Sequence, residues 1–203
     1  MFGLNTEELK VLKRLNTPVK IQDFLDTLRI NFEEDGETVM SPRRVLQTRK
    51  AHCMEAALFA AAVLWLHKEE PLLLDLKALP FDDDHVITLY KKKGFWGAIS
   101  KSNHASLRFR DPVYASPREI ALSYFHEYFE NKKGRKTLDS YSRPFDLKKY
   151  GSTWITSEEE LWHIPEDLDS HPHYKLVAKT LRPLIRKADK MELRAGRLVE
   201  WGK

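Results

Sequence analysis

The sequence predicts an α+β fold: a central buried helix packed on an antiparallel β-sheet, with flanking N- and C-terminal helices. Three observations predict it. Residues 53–66 read Cys-Met-Glu-Ala-Ala-Leu-Phe-Ala-Ala-Ala-Val-Leu-Trp-Leu; alanine and leucine are strong helix formers, and a helix apolar on every side belongs in an interior. Directly after it the pattern becomes that of short strands. On both sides helical signals return, which is the segregation expected of α+β chains.

Each element can be justified in order. Asn5 with Glu8 has the spacing of a capping box ahead of Leu9, Val11, Leu12 and Leu15. A second helix follows Pro18, with Ile21, Phe24, Leu25 and Leu28 on one face. Ser41-Pro42 starts a third, proline being tolerated at the first helical position. No Gly or Pro lies between Pro42 and Cys53, so that helix either stops before Cys53 or runs through it. Leu72 to Leu79 reads as a strand ended by Pro80, and Val86 to Tyr90 is rich in strand formers. Lys92-Lys93-Gly94 is a turn, and Phe95 to Ile99 completes a hairpin. Leu107 to Arg110 is read as a third strand, stopped at Asp111-Pro112. Ser116-Pro117 opens a helix over Arg118 to Phe129. Asn131 to Tyr150 is expected to be an extended surface connection. Ser157 with Glu160 is expected to cap a short helix containing Leu161 and Trp162, and a last helix is expected from about Tyr174 to Lys190. The 203 residues suit one domain. Its core is expected over about 41–130, between a helical segment 1–40 and a helical extension 131–203.

Composition narrows the function classes. Hydrophobic residues make up 42%, which is globular composition rather than disorder. The longest apolar stretch, Ala56 to Leu66, is shorter than the ~18 residues that span a bilayer, so no membrane partner is expected. The N-terminus lacks a basic segment followed by an apolar run, and no signal peptide is read. One cysteine allows no internal disulfide, which fits a reducing, cytoplasmic compartment. The net charge of +4 is small beside 34 basic and 30 acidic side chains. A mixed solvated surface accounts for it, and nucleic acid is not expected as a partner. Arg182 to Arg197 is the most basic stretch, read first as a solvated helix face. There is no P-loop, G-x-G-x-x-G or H-E-x-x-H, so no cofactor is assigned. His171 and His173 could bind a metal, but no second Cys, Asp or Glu cluster has ligand spacing, so no metal is assigned either. His126 is read as packing, and His104 as bordering the site described next.

Cys53 stands near the start of the buried helix. A thiol there feels the positive end of the helix dipole, which favours thiolate, and Arg49, Lys50 and His52 add positive charge. A nucleophilic cysteine needs a base within hydrogen-bond reach. His85, at the head of a strand after Asp82-Asp83-Asp84, is the candidate. The competing reading is that Cys53 is simply a small core residue.

The order Cys53 at a helix start, a strand, His85 before a Val-rich strand, a glycine turn and then Trp96 resembles the transglutaminase-like superfamily, which shares the core of papain-like thiol enzymes. The resemblance covers roughly Ser41 to Pro112. It implies a catalytic Cys53, His85 on the adjoining sheet, a third polar residue on the next strand, and acyl transfer or hydrolysis at a peptide or other amide-containing substrate. It also admits binding-only members. Such proteins commonly carry an aspartate four residues past the tryptophan; here that residue is Ser100. Asn103 is the preferred third catalytic residue, with Ser100, Asp111 and Asp83 as alternatives. Gln47, six residues before Cys53, matches the spacing of a papain-like oxyanion-hole glutamine, or is an exposed helix residue. The substrate and the oligomeric state cannot be read from these residues.

Overall fold

Local capping chemistry sets the N-terminal helices. The computed structural model describes residues 2–202. In it Asn5 Oδ1 accepts from the Glu8 N–H at 2.9 Å while Glu8 Oε2 accepts from the Asn5 N–H at 2.8 Å, opening α1 (Thr6–Arg14). Thr17 caps α2 (Pro18–Asp26) and Ser41 caps α3 (Pro42–Thr48). The question of where α3 stops is settled by Arg49, which takes the left-handed conformation at φ 56°. That costs a non-glycine residue roughly 1–2 kcal/mol. Contacts hold it there: its Nη2 donates to Thr27 Oγ1 at 2.8 Å, and its guanidinium lies over the Phe24 ring. The chain then forms β2 (Lys50–Ala51), paired in parallel with β1 (Arg29–Ile30), and α4 begins afresh as Cys53–Leu66.

All of α4 except Cys53 and Trp65 is buried. Its Phe59, Ala60, Val63 and Leu64 pack against Leu12, Ile21, Leu25 and Val45 of α1–α3. Another face, through Ala57, Leu58 and Ala61, meets Leu73 and Phe145 from the sheet and Trp154. Burying Leu58 or Phe59 contributes about 2–3 kcal/mol each.

The sheet is antiparallel. Its order is β6 (Arg110–Tyr114), β5 (Phe95–Ile99), β4 (His85–Lys92), β3 (Leu72–Ala78), β7 (Leu138–Ser142) and β9 (His173–Lys175), with β8 (Phe145–Asp146) also on β3. Lys92 pairs with Phe95, so Lys93 and Gly94 form a two-residue turn with φ of 51° and 91°, the doubly left-handed geometry that tight hairpins favour. One face of the sheet lies on α4, where Thr88 Oγ1 donates to the Ala57 carbonyl at 2.7 Å. The opposite face, through Leu74, Leu76, Ile87 and Leu89, packs on Ile120, Ala121 and Tyr124 of α5 (Pro117–Phe125). The architecture is therefore α+β, with the sheet between two helical layers.

Several expectations need correction. The strand expected over Leu107 to Arg110 lies at Arg110–Tyr114 instead and runs through Asp111-Pro112. It is an edge strand, where a missing N–H is tolerated. The expected surface connection from Asn131 to Tyr150 contributes β7 and β8 to the middle of the sheet. Its strand signal is masked because the inward side chains include Ser140 and Ser142, and Ser142 Oγ accepts from the Asp75 N–H at 2.9 Å. Ser157 Oγ caps only its own turn, and α6 is His163–Asp169, beginning after Leu161 and Trp162. The expected helix from Tyr174 is replaced by β9, a 3-10 segment Lys179–Leu184 containing Pro183, and α7 (Lys190–Gly196). The extension from residue 131 is thus partly sheet. Among the described residues no helix is long and apolar enough to cross a membrane.

Candidate active site

Because Arg49 ends α3, Cys53 is the first residue of α4, in the turn whose N–H groups have no intrahelical acceptor. His52 is the N-cap. Its Nδ1 accepts from the Met54 N–H at 3.2 Å and its Nε2 donates to the Thr38 carbonyl at 2.9 Å. Glu55 completes the box by accepting from the His52 N–H at 3.0 Å. Fully buried, the Glu55 carboxylate also receives Thr38 Oγ1 at 2.7 Å, the Met40 N–H at 3.1 Å and Asn31 Nδ2 at 3.1 Å. One carboxylate therefore fastens the 31–40 loop to the helix start. His-x-x-Glu escaped the sequence reading because histidine is not among the usual capping residues.

Cys53 lines one cavity with His52 and His85, and both imidazoles act on its thiol. Burial alone would raise its pKa, but the hydrogen bonds and charge of the two histidines overcome that and bring it down to about 5. Burial likewise opposes charge on His52, yet the bond to Cys53 and the negative charge of Cys53 and Glu55 push it up to about 9. The direction for this coupled pair is thiolate with imidazolium. Carboxylates support His52 in particular, with Glu55 Oε1 at 3.5 Å and Glu33 Oε1 at 3.7 Å from its Nε2.

His85 opens β4 and is buried. Its Nε2 meets Ser100 Oγ at 2.8 Å. The Ser100 hydroxyl gives its own proton to the Leu107 carbonyl at 2.6 Å, so it accepts from His85 Nε2–H. That assignment makes Nδ1 the acceptor of the neutral ring. Ser100 is itself held by α2: Gln22 Nε2 donates to the Ser100 carbonyl at 2.8 Å, and Gln22 Oε1 accepts from the Ser100 N–H at 3.0 Å. The β4–β5 register pairs Thr88 with Ile99. Extended by the same count it sets residue 102 opposite His85, which makes Ser100 a diagonal neighbour within side-chain reach.

Asn103, the preferred third residue, lines the same cavity as Cys53 and His85, but its amide is engaged by the C-terminal segment. Its Nδ2 donates to the Trp201 carbonyl at 3.0 Å and its Oδ1 accepts from the Trp201 N–H at 2.9 Å. The backbone leaves the ladder at Ile99, so residues beyond Ser102 pair with the C-terminal segment, as the His104–Val199 bridge shows. Gln47 lies exposed on α3 and does not line the cavity at Cys53, because α3 and α4 are separate helices with the β2 residues between them. Asp111 sits exposed on edge strand β6, also outside that cavity.

Cys53, His52 and His85 open into a cavity of about 260 Å³ bounded by Asp82–Asp84, Ser102, His104 and Tyr128. Tyr128 is read in the sequence as an aromatic core contact of the helix over Arg118 to Phe129, not as a site residue. Its hydroxyl donates to the Asp83 carbonyl, and burial together with the negative charge of Cys53 and the aspartates pushes it above the ordinary phenol range. Lys101 borders the same space, but its ammonium donates to the Leu25 and Leu28 carbonyls at 2.8 and 2.7 Å, and burial lowers it to about 8. His104 Nδ1 contacts the Gly196 carbonyl at 2.8 Å, joining the C-terminal helix to the cavity wall. No family model matches the chain, and no curated protein matches it.

Proposed function

We propose that this chain is a transglutaminase-like cysteine acyl-transfer or amide hydrolase protein. The observation that carries the reading is Cys53 at the first position of a buried helix, between two imidazoles, with its pKa brought down to about 5. In the proposed reaction the thiolate attacks the carbonyl carbon of an amide, forming the C–S bond and an oxyanion. In this reading the Cys53 N–H, in the first turn of α4, donates to that oxyanion. Collapse breaks the C–N bond, and the proton given up by the Cys53 thiol passes from the flanking imidazoles through His85 to the leaving amine. Water or an amine then attacks the thioester as His85 takes its proton back, which releases the acyl product and regenerates thiolate.

A second reading, a binding protein that keeps the fold without turnover, is favoured by one observation. The group on His85 Nε2 is the neutral hydroxyl of Ser100, which stabilises an imidazolium less than a carboxylate would. Incubation with p-nitrophenyl acetate separates the two. The enzyme reading expects a burst of nitrophenol, one acetyl group on Cys53 by mass spectrometry, and loss of both in Cys53→Ser. An unacetylated Cys53, with release no faster than in Cys53→Ser, would support the binding reading.

A further inference from the structure

On β3 Asp75 is buried, yet it has only half of its carboxylate satisfied. Asp75 Oδ2 accepts from His173 Nε2 at 2.9 Å, while Oδ1 is buried and meets no hydrogen-bond donor among the described residues. A buried carboxylate oxygen without a donor is costly. Two further carboxylates lie beside the Asp75 side chain. Asp84, on the loop before β4, and Asp169, at the end of α6, each offer an oxygen such that the three ligand atoms lie within 4.8 Å of one another. That span fits three oxygens around one cation at the 2.0–2.6 Å bond lengths of magnesium and calcium. Asp84 is also half anchored, its Oδ1 accepting from the Ala78 N–H at 2.7 Å. Asp75 and Asp84 thus have one oxygen fixed from outside the group, as second-sphere contacts fix metal-binding carboxylates.

We propose that Asp75, Asp84 and Asp169 bind a divalent, oxygen-seeking cation of the calcium, magnesium or manganese class. Three carboxylates without nitrogen or sulfur ligands select that class over zinc or copper. Lys77 now supplies the local positive charge, with its Nζ 2.9 Å from Asp169 Oδ1 and 3.8 Å from Asp84 Oδ2. Its side chain is partly exposed, so it can swing into solvent as the cation enters. The cation then ties β3 and α6 to the residue that precedes His85, bracing the chain that carries that ring into the sheet. The sequence gives no such signal, because the three aspartates come from separate segments and meet only through the β3–β4 pairing and the packing of α6. This inference does not depend on Cys53 being catalytic.

The test uses the full chain, first treated with chelator and then titrated separately with CaCl₂, MgCl₂ and MnCl₂. At least one salt at millimolar concentration should raise Tm by about 5 °C. Manganese titration followed by the loss of its free-ion EPR signal should show one bound ion per chain. Asp169→Asn, a change at an exposed side chain, should abolish both effects while the circular dichroism spectrum is kept. Asp75→Asn should do the same, and Lys77→Ala should tighten binding by about fivefold or more. Absence of any Tm rise and any manganese binding in the wild-type chain would overturn the proposal. So would effects that survive unchanged in Asp169→Asn.

Discussion

At the scale of single side chains, His52 and His85 differ in what stands behind them. His52 has Glu55 and Glu33 near its Nε2, whereas His85 bonds a hydroxyl. His52→Ala should therefore raise the pH at which Cys53 becomes thiolate, which labelling midpoints will measure. The linkage signs follow from the two shifts. Cys53 has a depressed pKa, so its contribution to stability is lost as pH falls from the ordinary thiol value of 9.0 through about 5. His52 has a raised pKa, so its contribution is complete below 6.5 and is lost as pH rises through about 9. Between 6.5 and 9 the two trends oppose, and the wild-type chain should gain stability from about pH 5 to 6.5 and then level off, as urea midpoints will show. In Cys53→Ala that rise should be reduced. Ser100→Ala leaves the buried His85 N–H without its acceptor and should cost about 1–3 kcal/mol in the same measurement. Asn103→Ala should leave the His85 ring signals unchanged by NMR while the Trp201 amide exchanges faster. The hairpin pointed to the stretch from Ser100 to Asn103. The choice within it was not legible, since it depends on where the chain leaves the β5 ladder and on Gln22 clamping Ser100 from a helix 78 residues away.

At the scale of elements, the start of α4 positions the thiol. Glu55→Ala removes the capping box and leaves Asn31, Thr38, Met40 and His52 donors without their shared acceptor. A loss of roughly 3 kcal/mol or more in chemical denaturation is expected, together with slower labelling of Cys53. Gly97 on β5 is equally constrained, because a Cβ there would lie 2.4 Å from Tyr90 Cζ and 2.7 Å from the Arg110 carbonyl. Gly97→Ala should cost about 1–3 kcal/mol through overpacking. The body of α4 was readable because a run of alanine and leucine is helical by propensity and buried by composition. The break at Arg49 was not, since a left-handed arginine is sustained by Thr27 and Phe24, which only tertiary structure brings to it.

At the scale of the molecule, β3 sits in the middle of the sheet, with β4 on one side and β7 and β8 on the other. A chain ending at residue 130 would leave the β7 side of β3 unpaired and uncover Leu73 and Leu76. Such a fragment should fail to give a cooperative unfolding transition. The antiparallel hairpin and buried helix were legible because hydrophobic period and turn residues are local signals. The closing strands were not, because their buried positions are serines satisfied by partners distant in sequence, such as Ser142 with Asp75. With α4 on one sheet face and His85 at the head of β4, the proposed reading has both elements acting on one sulfur. The rate of Cys53 alkylation by iodoacetamide as a function of pH, followed by mass spectrometry, tests that claim most directly. A thiolate held by His52 and His85 predicts a midpoint near 5 and an already flat rate at neutral pH. A midpoint near the ordinary thiol value of 9.0, unchanged in His52→Ala and His85→Ala, would contradict it.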